Sequence, residues 1–130
     1  MWKVHAKALA LIATLFIVID VTYLRLIFNY WNTQVSRIQG SPLVVDKLPA
    51  VLAYGLLVIG LYYFIIKDNR PWWDAVLLGW FVYFVFDLTN KGLFTNWTWT
   101  TVILDGLWGG VLFGLITYIY YKLAPKLIRN

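Results

Sequence analysis

Residues 73–94 read WDAVLLGWFVYFVFDLTNKGLF, and residues 101–121 read TVILDGLWGGVLFGLITYIYY. At 1.5 Å rise per residue, either run is long enough to cross a hydrocarbon core of about 30 Å as a helix. The polar hexapeptide TNWTWT (95–100) joins them, so the two helices are expected to run antiparallel. Each run also holds a carboxylate. Asp87 stands about two turns before the first run ends, and Asp105 about one turn after the second begins. The hairpin therefore brings two acids to a similar depth inside a membrane, which fixes the fold class and locates a candidate site together.

Two further runs complete the set. Residues 8–28 (ALALIATLFIVIDVTYLRLIF) contain Asp20 and Arg25, and residues 49–66 (PAVLAYGLLVIGLYYFII) open on Pro49. In a first turn the missing N–H of that proline is harmless. The expectation is an all-α integral membrane protein, one four-transmembrane-helix bundle over 1–130. Residues 29–48 form a polar interfacial linker, where Trp31 with the Val35 and Ile38 spacing suits a segment lying along the interface. Gly40-Ser41-Pro42 breaks any helix there. Lys67-Asp68-Asn69-Arg70-Pro71 reads as a tight polar turn, and Thr100 as a helix N-cap. A cleaved signal peptide is the rival reading of the first run. Its length, the interruption by Asp20 and the lack of a small-x-small site favour a retained helix.

The composition agrees. Of 130 residues, 62% are hydrophobic and only 13% charged, against about 25% in soluble domains. Aromatic residues make up 19%, a load suited to belts at the membrane interfaces. Without cysteine, disulfides and thiolate metal sites are excluded, and the lone His5 leaves no basis for zinc or haem ligation. The net charge of +5 reads as membrane topology rather than nucleic-acid binding. Four spans put Lys3, Lys7, Lys67, Arg70, Lys122, Lys126 and Arg129 on one side, against Arg25, Arg37, Lys47 and Lys91 on the other. The excess of basic residues places both termini in the cytoplasm.

All six acidic residues are Asp, and three of them, Asp20, Asp87 and Asp105, fall well inside apolar runs, whereas Asp74 stands only one residue into its own. A carboxylate at membrane depth is costly unless neutralised, paired or hydrated, and so marks a site. Counted from the helix ends, all three lie in the same, non-cytoplasmic half. Asn90 and Lys91 follow Asp87 at i+3 and i+4, so Lys91 is a candidate charge partner. Arg25 lies near the level of Asp20, and Trp108 follows Asp105 at i+3. Gly106, Gly109, Gly110 and Gly114 give small-residue spacings that admit a second backbone, either the Asp87 or Asp20 helix or another copy of the chain. Each feature also has a purely structural reading: Asp87 as half of an ion pair, Asp105 as a charge at a helix N-terminus, the glycines as packing.

The stretches Phe86-Asp87-Leu88-Thr89-Asn90 and Leu104-Asp105-Gly106-Leu107-Trp108-Gly109-Gly110, with Asp20-Val21-Thr22-Tyr23 near the end of the first run, resemble the hallmark of a family of small membrane proteins known only as domain of unknown function 2177. The resemblance covers nearly the whole chain. It implies a four-helix membrane fold with Asp20, Asp87, Asn90, Asp105 and Trp108 as signature positions, and supplies no activity.

Three functions fit these residues. The first is a channel or carrier for protons or small cations, in which Asp20, Asp87 and Asp105 replace lost hydration and Asn90 offers a neutral oxygen. Four helices enclose little space, so this reading expects a homo-oligomer. The second is a membrane enzyme or a protein binding a lipid- or sterol-like ligand in the same Asp pocket. No catalytic set is legible, and no cofactor is expected beyond a divalent cation held by Asp20, Asp87 and Asp105 through oxygen ligands. The third is a structural accessory subunit. In every case the partner common to all is the lipid bilayer, and no nucleic acid is expected.

Overall fold

The computed structural model describes residues 2–128, so Arg129, counted above in the basic balance, lies outside the described residues. Among those residues the chain is helical throughout, with no strand. Helix α1 spans Trp2–Leu26, α2 Phe28–Gln39, α3 Lys47–Leu61, α4 Trp72–Leu93 and α5 Trp99–Leu127. Four helices are long and apolar enough to cross a membrane: α1, α3 with its continuation to Ile66, α4 and α5. They correspond to the four runs, with α1 starting earlier and the last helix running further than the apolar pattern marks. Helix α3 continues through a π turn, Tyr62–Ile66, closed by Lys67 N–H to the Tyr62 carbonyl at 2.8 Å.

The interfacial linker contains a helix of its own. Helix α2 follows α1 after a break at Ile27 (φ −115°, ψ 24°) and ends at Gly40, whose φ of 74° is the left-handed cap glycine tolerates best. Its inner face carries Trp31, Gln34, Val35 and Ile38 at helical spacing, with Gln34 buried and the others half-buried. Helix α5 is capped by Thr98 rather than Thr100: the Thr98 hydroxyl accepts the Thr101 N–H at 3.2 Å. The cap lies two residues earlier because Trp99 and Thr100 already have helical conformation.

Helices α4 and α5 form the closest pair, and glycine is the reason. A Cβ on Gly79 of α4 would penetrate the Gly109 carbonyl of α5, and one on Gly106, Gly109, Gly110 or Gly114 would overlap Phe84, Tyr83, Trp80 or Val76 respectively. These four α5 glycines are buried inside a single chain. They are consumed by the α4 contact and are not free to receive a second copy. The Trp80 indole reinforces the seam by donating to the Leu107 carbonyl at 3.3 Å. On its other side α5 packs against α1, which packs in turn against α3, with Ile12, Phe16, Leu61, Ile65, Leu112, Phe113 and Ile116 forming an apolar core. Large side chains such as Leu56, Phe81, Val85 and Val111 face outward, as they do where lipid is the solvent.

Candidate functional site

Of the six buried polar or charged side chains among the described residues, five (Asp20, Gln34, Asp87, Thr101 and Asp105) gather at the α2 end of the bundle. The sixth, Thr117, only satisfies its own helix by donating to the Phe113 carbonyl at 2.8 Å.

Asp20 projects from the next-to-last turn of α1 and is held by two donors from two other helices. Tyr54 Oη of α3 donates to one carboxylate oxygen at 2.5 Å, and Trp108 Nε1 of α5 donates to the other at 2.9 Å. Three residues on, Tyr23 stacks face to face on the Trp108 indole, with centroids 3.8 Å apart and planes 5° from parallel. The i, i+3 pair Asp20–Tyr23 therefore grips one tryptophan by its N–H and by its face, fixing α1 to α5. Fixed protein dipoles thus satisfy both carboxylate oxygens.

Asp87 is placed differently. It has no exposed surface, and neither carboxylate oxygen receives a hydrogen bond. Asp105 is its acidic neighbour on α5, across the glycine seam that lets α4 and α5 approach. The Trp97 indole also lies beside Asp87, but its buried Nε1–H does not close a direct hydrogen bond. Tyr23 Oη and Trp31 Nε1 are likewise buried without a partner. The site thus presents an apposed carboxyl pair with indole and phenol donors near it that are committed to nothing else.

Among the described residues, no basic side chain compensates the acids. Lys91, the candidate partner of Asp87, turns instead to the Thr95 carbonyl at 3.3 Å and the Trp99 ring at 5.9 Å. Arg25 is exposed, and the ion pairs among the described residues are Lys67–Asp68 and Arg70–Asp74, both on the opposite turn. Each flexible cation reaches an exposed acceptor at lower desolvation cost than an acid buried between helices. Asn90 is half-buried one turn after Asp87 and makes no hydrogen bond to the acids. Nor do the three aspartates converge as one metal-holding group among the described residues. Asp20 is tied to Tyr54 and Trp108, which separates it in role from the Asp87–Asp105 pair.

A polar clasp closes this end. Gln34 of α2 donates to the Asn96 carbonyl at 2.9 Å, while its Oε1 accepts from Thr98 N–H at 3.2 Å and from the Thr101 hydroxyl at 2.6 Å. Tyr30 adds a hydroxyl contact to Thr101 at 2.8 Å. Residue-level reading of the chain did not single out Tyr54, Tyr30, Gln34 or Thr101. The available signals were a tyrosine amid the apolar run 49–66 and a glutamine on the apolar face of an amphipathic segment.

These features define a class: a small integral membrane protein of four apolar spans with an enclosed acidic site at one end. A family model described as "Predicted membrane protein (DUF2177)" matches residues 5–123, and the chain belongs to that family. No curated protein and no solved structure shows significant similarity to it.

Proposed function

We propose that this chain binds and passes a proton or small cation, with Asp87 and Asp105 as the binding pair. The observation that carries this reading is Asp87: fully enclosed, without a donor on either oxygen, and set beside a second carboxyl with no basic side chain in reach among the described residues. Two negative charges a few ångströms apart in a low dielectric repel strongly, so the pair retains a positive charge between its oxygens. A proton or a single small cation fits two carboxyls; a multi-ligand divalent site has less support, since no third acidic or histidine ligand joins them.

The apolar core beyond the site argues for a carrier over an open pore. Phe16, Leu112, Phe113 and Ile116 pack without a buried polar side chain other than Thr117. On this reading the bound charge is occluded, and passage requires a second conformation. If the basic residues set the orientation, the site opens away from the cytoplasm.

The test is flux across liposomes containing purified protein, under proton and monovalent-cation gradients. Wild type is compared with Asp87→Asn, Asp105→Asn and, as a control on an exposed acid, Asp68→Asn. Flux lost in the first two and kept in the third supports the reading. Absence of flux under every gradient removes it.

A second reading has its own observation. Between α1 and α3 runs an apolar groove of about 440 Å³, lined by Ala13, Phe16, Val51, Tyr54 and Gly55 among others. Its Tyr54 is the residue that donates to Asp20. A lipid-like ligand with a polar head would place its chain in this groove and its head near Tyr54, which native mass spectrometry of the protein extracted from its membrane detects as a retained adduct.

A further inference from the structure

We infer that α2 is a gate over the Asp87–Asp105 pair and that Gln34 is its latch. The inference rests on the reading of that pair as a binding site, and adds the route by which a charge reaches it.

Three observations place α2 in this role. Gln34 is the one fully buried residue on α2, and all its hydrogen bonds leave the helix for the 96–101 segment. One of them ends on Thr101, a single turn before Asp105. Trp31, one turn earlier on the same face, packs against Trp97 with centroids 6.1 Å apart, and Trp97 lies beside Asp87. Moving α2 outward therefore removes the support of Trp97 and of Thr101, the two neighbours through which this end of the bundle closes over the acids.

The ends of α2 suit such a movement. The break at Ile27 separates α1, anchored through Asp20 and Tyr23, from α2, which has no side-chain N-cap. Beyond Gly40 the chain continues through a non-helical stretch to α3 at Lys47. The buried Nε1 groups of Trp31 and Trp97, unpartnered in the closed form, become available to water or to an arriving ligand when the helix lifts. Gln34 acts through the segment it holds, so it is a positioning residue and touches neither acid.

The absence of cysteine from the chain makes the test clean. Gln34→Cys and Thr98→Cys, side chains in contact in the wild type, are bridged with a short bis-methanethiosulfonate reagent that reductant removes. In nanodiscs, the carboxyls are then labelled with a water-soluble carbodiimide and glycine methyl ester, and scored by peptide mass spectrometry. The exposed Asp46 and Asp68 serve as internal references.

Bridging is expected to cut labelling of Asp87 and Asp105 about tenfold relative to the reduced form, and Gln34→Ala to raise it above wild type by a similar factor, the scale of losing a buried hydrogen-bonded clasp. The references stay constant. Equal labelling of the two acids in bridged and reduced protein overturns the gate, as does their failure to label even in Gln34→Ala. Labelling needs no transport. Gated labelling without flux in liposomes leaves α2 as a gate and rejects the transport reading, while flux with ungated labelling does the reverse.

Discussion

Asp20 and Asp87 are both aspartates in apolar helices, yet their surroundings differ in kind. Asp20 receives two strong donors, Tyr54 Oη and Trp108 Nε1, and functions as a fixed joint among α1, α3 and α5. Removing a donor strands part of a buried charge, so Trp108→Phe is expected to cost about 2 kcal/mol, the scale of a hydrogen bond to a charged group. The loss is read in reversible unfolding in mixed micelles, and a change near zero contradicts the joint. Asp87 receives no donor, so Asp87→Asn removes repulsion rather than support. Its stability should stay within about 1 kcal/mol of wild type or exceed it, while ligand-dependent behaviour disappears. Residue counting along each helix puts the three acids at a similar depth. Their division into joint and pair is not legible that way, because the deciding neighbours come from other helices: Tyr54 stood in a run that reads as uniformly apolar.

At the level of helices, the glycines carry the fold. Gly79 against the Gly109 carbonyl lets α4 and α5 approach until Asp87 and Asp105 meet. Gly79→Ala is expected to destabilise by about 3 kcal/mol, the upper range for overpacking, and to separate the acids. Gly55 on α3, where an added Cβ meets nothing within 4 Å, is the contrast. Gly55→Ala is expected to be neutral or to stabilise by about 0.5–1 kcal/mol, the usual helical preference for alanine. Equal effects at the two positions, measured side by side in micelles, count against the seam. The four spans were readable because about 20 apolar residues leave no other option in lipid. The glycine spacing announced a close contact, but a one-dimensional pattern does not distinguish a neighbour in the same chain from a second copy. Helix α2 escaped assignment as a full element because its polar residues outweigh its short apolar face, and the burial of Gln34 depends on the 96–101 segment, remote in sequence.

For the molecule as a whole, buried polarity is segregated: the buried acids and the Gln34–Thr101 clasp at the α2 end, a packed apolar core through the other half. That asymmetry suits a closed state in which a charge is held and not conducted, and it makes binding, rather than flux, the most direct test of the central claim. A ligand that binds the folded form alone raises stability by RT ln(1 + [L]/Kd). Thermal unfolding of the protein in nanodiscs is therefore titrated with Na⁺, K⁺, Mg²⁺, Ca²⁺ and protons. Binding at the Asp87–Asp105 pair predicts that the midpoint of wild type and Asp68→Asn rises with increasing concentration of at least one of these, and that the rise is absent in Asp87→Asn and Asp105→Asn. A wild-type midpoint indifferent to all five, or a rise that survives both asparagine substitutions, contradicts it.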